Sequence, residues 1–344
     1  MSRRSLTLAI AGIATAAAIA AAVLISVPYV ILGPGPTLNT LGKDSAGQTL
    51  ISVSGYPTYA TSGHLNMVTV SYVGGPGVRV SIFQAVRAWL DSSQAVVPES
   101  ELFPAGQSAQ VTQAQDTQEM SSSQELATAA ALSALHIAFK TQVGVVSTVP
   151  GYPASKVLKA GDVIESVDGK AVAGETSLSS MITAYPAGTT LTLTVLRAGK
   201  TLTVQVASKE SAGTPVIGVQ VQAEYTFPFT VNFSVGDIGG PSAGMMFALG
   251  IIDKLTSLNL TGGKFIAGTG EITASGQVQP IGGIQQKMVG ARAAGATVFL
   301  TPAGNCSDTV GAVPAGLRIV KVSTLSQAMS DLEAIKAGKS VPTC

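Results

Sequence analysis

Hydrophobic and polar positions change texture several times along the 344-residue chain. From Leu6 to Leu32 almost every position is apolar, and no charge stands between Arg4 and Lys43. A helix needs about 20 such residues to cross a bilayer, so the stretch predicts a transmembrane helix within residues 1–33. Pro28, Pro34 and Pro36 mark its exit, and Tyr29 sits where an interfacial aromatic belongs. Arg3 and Arg4 precede the span, which places the N-terminus in the cytoplasm and the rest of the chain outside. A cleaved signal peptide is the alternative, since Ala18-Ile19-Ala20 resembles a cleavage site. The apolar run is longer than the usual signal core of about 7–15 residues.

Beyond the span, Leu50 to Val53 and Leu65 to Val70 read as strands. Ala85, Val86, Trp89 and Leu90 fall at helical spacing. Pro104 to Met120 is rich in glutamine and small polar residues and predicts an exposed loop, followed by a helix from Ser121 to Phe139. From Val143 the pattern turns to β: a strand over 143–149, strand and hairpin signals around Val163 and Asp168, a short helix over 178–185, and alternating strands flanking Arg197-Ala198-Gly199-Lys200. A strand over 231–235 leads through a glycine-rich turn into an apolar segment, Met245 to Leu255, half as long as a membrane span and read as a buried core helix.

Composition adds to this picture. Charged residues make up 11% of the chain and net charge is +1, which argues against nucleic-acid binding and against disorder. The part after residue 42 is itself charge-poor, so the span explains location and not composition. Two cysteines and two histidines show no metal-ligand spacing, so neither a metal nor a cofactor is expected. Cys306 and Cys344 fall in the predicted extracytoplasmic part, where a disulfide persists. Two free thiols are the alternative.

Chemistry gathers after residue 236. Gly239-Gly240-Pro241-Ser242-Ala243-Gly244 leaves free N–H groups at a helix N-terminus, which suits a developing oxyanion. Gly240 and Ala243 are the turn residues expected there. Ser242 reads either as a nucleophile or as a helix N-cap. An α/β-hydrolase needs a histidine after the serine, and His64 and His136 both precede it. No lysine stands three residues after a serine. Lys287 shares an apolar helical stripe with Ile284, Met288 and Ala291. Burial there would lower its pKa and make it a base; alternatively its stem lies on apolar surface with the ammonium in water.

Two blocks resemble known families. Val143-Gly144-Val145-Val146, Gly151-Tyr152-Pro153-Ala154, Leu158 to Ile164 and Val167-Asp168-Gly169 resemble a bacterial PDZ domain. That resemblance implies peptide binding by strand addition, with Val143, Gly144, Val145 and Val146 as the pairing edge. Gly-Pro-Ser242-Ala-Gly, Gly268-Thr269-Gly270-Glu271-Ile272, Gly276-Gln277-Val278 and Pro280-Ile281-Gly282-Gly283 through Lys287 resemble the Lon-type serine protease domain. This implies Ser242 as nucleophile, Lys287 as general base and Thr269 as the residue orienting the lysine. Many such domains carry Asp three residues before the serine; here that position is Gly239, with Asp237 further back.

Lon enzymes also carry an ATPase module. Gly199-Lys200-Thr201 and Gly338-Lys339-Ser340 end like phosphate loops, but Thr194 and Glu333 replace the leading glycine, and 344 residues leave no room for the module. The expectation is an α+β fold in a bacterial plasma membrane. An anchor (1–33) is followed by a Lon-like domain in two parts (45–124 and 211–344) and an inserted PDZ-like β-domain (125–210). It would cleave protein or peptide substrates without ATP. The resemblance also implies a homo-oligomer, as a hexameric ring. The competing reading is a membrane-tethered PDZ scaffold with a non-catalytic Lon-like domain.

Overall fold

The computed structural model describes residues 3–44, 47–104, 106–172 and 174–344. Helix α1 (Arg3–Leu24) opens the chain. It ends short of the expected boundary because Val27, Tyr29, Val30 and Ile31 are β-branched or aromatic and Pro28 cannot continue a helix. They form strands β1 (Ser26–Val27) and β2 (Tyr29–Asn39), and Val30 is fully buried. The apolar run thus divides between an exposed helix and a core strand, and the expected anchor boundary at 33 falls inside a sheet. A register shift between Pro34 and Thr37 is the sort of irregularity that tolerates a residue without N–H.

Strand β3 (His64–Val73) pairs antiparallel with β2. Strand β4 (Val80–Ser81) pairs with β1 and runs directly into helix α2 (Ile82–Trp89), which opens with a capping box between Ser81 and Gln84. Strand β5 (Ala95–Pro98) covers the outer side of β2. The strand expected over 50–53 is Ile51–Ser54, paired with Thr230–Phe233.

Helix α3 (Ala109–Ala134) occupies most of the segment expected as a loop. Ser108 caps it by accepting from the Val111 amide. Glutamine, alanine and glutamate are good helix formers, and the polar composition reflects exposed first turns, not missing structure. Its later turns carry the buried run Ala127 to Leu132. The helix stops at Ala134, not Phe139; His136 follows in a left-handed conformation (φ 56°).

The chain then builds a compact unit of its own, residues 138–228. It contains β6 (Lys140–Thr148), β7 (Val163–Val167), helix α4 (Glu175–Thr183), the hairpin β8 (Thr190–Arg197) and β9 (Lys200–Ala207), and β10 (Val219–Thr226). Strand order is β9-β8-β7-β6-β10. Val143, Ile164, Leu178, Leu191 and Leu193 lie in its core. The expected boundaries of 125–210 shift at both ends. Residues 125–134 complete α3 in the larger unit, and β10, beyond 210, pairs with β6 along its length.

Returning to the larger unit, the chain forms α5 (Gly244–Leu255), β11 (Phe265–Gly268), α6 (Ile284–Ala293), β12 (Val298–Pro302), β13 (Arg318–Val322) and α7 (Leu325–Lys336). Its sheet runs β13-β12-β11-β3-β2-β5. The first four strands are parallel, and β2 and β5 join antiparallel. Val68, Ala267, Phe299 and Ile319 pack with Ile284, Met288 and Ala291 of α6. The two-residue period sends Met67, Ile266, Leu300 and Val320 to the other face. There α5 is buried on nearly every side, as expected for an apolar helix too short to span a bilayer. Cys306 and Cys344 form a disulfide.

Candidate active site

Three side chains converge past the carboxyl end of β11. Ser242 comes from the turn before α5, Thr269 directly follows β11, and Lys287 projects from the first turn of α6. Helices on opposite faces of one sheet thereby deliver their groups to its end. The Lys287 Nζ donates to Ser242 Oγ at 2.8 Å and to Thr269 Oγ1 at 3.3 Å. Thr269 Oγ1 donates to the Ser242 carbonyl at 3.0 Å, which also accepts the Gly270 amide at 2.8 Å. The nucleophile candidate, the base candidate and the connecting hydroxyl therefore form one closed hydrogen-bonded group.

Lys287 is 4% exposed and Thr269 is fully buried. Burial holds the Lys287 ammonium down to about 8, opposed by the nearby Glu271 carboxylate. A lysine at that value is neutral in a large fraction near pH 8 and can accept a proton. Burial raises the Glu271 carboxyl, reinforced by the like charge of Glu119. The Asp116 carboxyl is raised by the same two influences. These groups line one cleft of about 760 Å³ together with Ser242, Lys287 and Ile281-Gly282-Gly283.

Local sequence explains the geometry. Gly283 starts α6 at φ 67°, a left-handed conformation costly for other residues, and its carbonyl accepts the Lys287 amide at 3.0 Å. Gly240 is also left-handed, at φ 86°. Its amide donates to the Asp116 carbonyl at 3.0 Å, so of the two expected oxyanion and turn residues Gly240 shapes the turn and its amide is already engaged. Among the described residues the amides of Ser242 and Ala243 have no hydrogen-bond acceptor.

Other residues could not be read from the sequence. Asp116 packs so closely on Gly239 that a Cβ there would meet the Asp116 Cβ at 2.6 Å. The acidic group beside the turn is thus brought in by α3. Asp116 and Glu119 stand at i and i+3, a helical spacing that would have exposed them had 109–120 been read as a helix. Glu271 was visible only as a motif member. Asn305 is buried and clamps Ile281 on both sides: its Oδ1 accepts the Ile281 amide at 2.8 Å, and its Nδ2 donates to the Ile281 carbonyl at 2.9 Å. Asn305→Ala leaves both groups buried and unpaired, and should cost about 1–3 kcal/mol of stability in a denaturant titration. Neither histidine lines the cleft; His64 stacks on Phe265 with ring centroids 4.4 Å apart. Among the described residues no three or more His, Cys, Asp or Glu side chains are grouped to hold a metal ion.

The smaller unit requires a correction. Val143, Gly144, Val145 and Val146 lie in β6, flanked by β10 on one side and β7 on the other. They cannot offer a free pairing edge. Alternating residues identify a strand but not its place in the sheet. The terminal strands here are β9 and β10, and a groove of about 360 Å³ runs between β10 and α4, lined by Leu178, Ile182, Ile217, Gly218 and Val221 among others.

Comparison with known proteins defines the class. Residues 234–334 match the Lon protease (S16) C-terminal proteolytic domain, and residues 110–207 match a PDZ domain. The chain therefore carries a Lon-type serine peptidase domain together with a PDZ domain. Among curated proteins it is 39% identical over 94 residues to Lon protease 1 of Sorangium cellulosum, covering 26% of this chain and 11% of that protein. It is 46% identical over 69 residues to Lon protease 2 of Herpetosiphon aurantiacus, covering 20% and 8%. Lon protease 1 of Bacillus subtilis is 30% identical over 121 residues, covering 34% and 15%. The match thus spans about a tenth of the length of these relatives. Similar solved structures include the PDZ domain of the SdrC-like protein of Listeria monocytogenes (28% identical, covering 23% of this chain and 85% of that one, TM-score 0.22). Another is a PDZ domain from Listeria innocua (26% identical, covering 23% and 92%, TM-score 0.23).

Proposed function

We propose that the chain is a membrane-anchored, ATP-independent serine endopeptidase. The observation that carries the reading is a nearly fully buried lysine whose amine lies 2.8 Å from the hydroxyl of Ser242. The neutral Lys287 amine takes the proton of Ser242 as Oγ bonds to a peptide carbonyl carbon. The amides of Ser242 and Ala243 hold the resulting oxyanion. As the C–N bond breaks, the lysinium returns its proton to the leaving amine. Water then attacks the ester, Lys287 again acting as base, and Ser242 is regenerated. Thr269 keeps the amine directed at Oγ.

Helix α1 is long and apolar enough to cross a membrane, with mean hydropathy 2.2 over its most apolar 18 residues. Arg4 in its first turn favours a cytoplasmic N-terminus, and the disulfide favours an oxidising compartment for the catalytic unit. Supporting independence from ATP, Gly199-Lys200 lies in the β8–β9 hairpin and Gly338-Lys339 follows the end of α7. Neither joins a strand to a helix N-terminus, as a phosphate loop does. The groove between α4 and β10 takes an extended peptide end, with β10 supplying the pairing edge.

The test is the pH dependence of peptide hydrolysis in nucleotide-free buffer. Because the neutral amine is the active form, kcat/KM rises with pH through about 8 and levels above it. A flat profile between about pH 6 and 9 overturns the lysine as base.

A further inference from the structure

Helix α2 presents an apolar face with no protein over it. Phe83, Val86, Trp89 and Leu90 are 52%, 50%, 77% and 75% exposed. At 100° per residue they fall within about one third of the helix circumference. Ala88, on the opposite side, is buried, so α2 is already seated on the fold and these four residues are surplus to it. Tyr29 and Val78, 40% and 57% exposed, flank the same region of the chain. Monomeric proteins seldom leave such a patch without a use.

Its place in the fold identifies what covers it. The 22 residues of α1 rise about 33 Å, close to the hydrocarbon thickness of a bilayer. Backbone hydrogen bonds tie the end of α1 to the start of α2. The Ile25 amide closes the last turn of α1 by donating to the Ala21 carbonyl at 2.8 Å, and the Ile25 carbonyl accepts the Ile82 amide at 3.1 Å. Ser26 and Val27 pair with Ser81 and Val80, and α2 packs beside α1. With α1 in a bilayer, the start of α2 is fixed at the headgroup boundary. Arg87 stands about 40° around the helix from Phe83, beside the apolar face, and Arg79 precedes β4; aromatic, aliphatic and basic residues in this combination suit a helix lying in that boundary.

From this placement we infer that α2 is a lipid-surface helix: its Phe83–Val86–Trp89–Leu90 face inserts among the headgroups of the leaflet into which α1 emerges. This rests on the anchor reading of α1. Its consequence is that the larger unit is held at the membrane at two points, the span and α2, and does not swing on a single tether.

Trp89 is the sole tryptophan of the chain, so its fluorescence reports this face alone. The full chain is reconstituted in phosphatidylcholine–phosphatidylglycerol vesicles and floated on a gradient after an alkaline wash. Bromine-labelled lipids and aqueous acrylamide then quench the indole. Co-flotation, with quenching by shallow-brominated lipid at least about twofold stronger than by deep-brominated lipid and weak quenching by acrylamide, supports the inference. A co-floating chain whose Trp89 is quenched by acrylamide and not by bromolipid overturns it while leaving the anchor intact. Protection from both quenchers means that protein, such as a second copy, covers the face, and also overturns it. A chain that fails to co-float overturns the anchor and the inference together. In the triple variant Phe83→Ser, Val86→Ser, Leu90→Ser, co-flotation persists while acrylamide quenching of Trp89 rises several-fold; unchanged quenching counts against insertion.

Discussion

Ser242→Ala is expected to reduce peptide hydrolysis to background, a loss of about a million-fold in kcat. The magnitude follows from the geometry. Among the described residues, Ser242 Oγ is the hydroxyl in the cleft that shares a hydrogen bond with a buried amine positioned to take its proton. Removing Oγ deletes the bond-forming atom, and neither Thr269 Oγ1 nor water inherits its place, because Thr269 is buried and turned toward the Ser242 carbonyl. The measurement is turnover of a fluorogenic peptide by purified wild type and variant, with circular dichroism to verify the fold. Residual activity within tenfold of wild type assigns the nucleophile elsewhere. The same comparison separates a peptidase from a PDZ scaffold that never turned substrate over.

Lys287→Met is expected to produce a comparable loss of hydrolysis without a loss of stability. Methionine fills the channel occupied by the lysine stem but accepts no proton. Burial lowers the Lys287 pKa, so charging this group costs more in the folded chain than in the unfolded one. Between about 8 and the usual lysine value the unfolded chain binds more protons, and stability rises with pH across that window. Below it the folded chain holds a buried cation, a burden that methionine removes. At pH 7 the variant should therefore melt at or above the wild-type temperature while hydrolysing nothing. Lys287→Arg provides the complementary control, since a guanidinium stays protonated and cannot act as base. Activity in Lys287→Arg would mean that the side chain acts through its charge.

Much of this site is legible in the chain. Ser242, Thr269 and Lys287 stand in short glycine-rich blocks whose resemblance, in order and spacing, to a Lon-type domain implies their pairing. The stripe Ile284, Lys287, Met288, Ala291 already places the lysine on the buried side of a helix, and the structure finds it 4% exposed. What escaped was whatever depends on a partner distant in sequence. Asp116 and Glu119 were hidden in a polar stretch whose helix is stabilised by packing of its later turns. Asn305 acts on Ile281 from 24 residues away. Val143 to Val146 alternate as a strand should, yet whether a strand is an edge depends on where β10 docks.

The chain by itself thus determined the apolar helix at its start, most of the strand and helix texture of both units, and the serine and lysine as candidates through their resemblance to a Lon-type domain, because each is written in local periodicity or in a compact motif. Tertiary structure alone decided where the apolar run changes from helix to strand, which strands of the smaller unit stand at the ends of its sheet, which amides remain free for an oxyanion, and how α2 comes to lie beside α1. Those outcomes are set by hydrogen-bond partners and packing surfaces supplied from distant segments, and no local pattern encodes which segment will supply them.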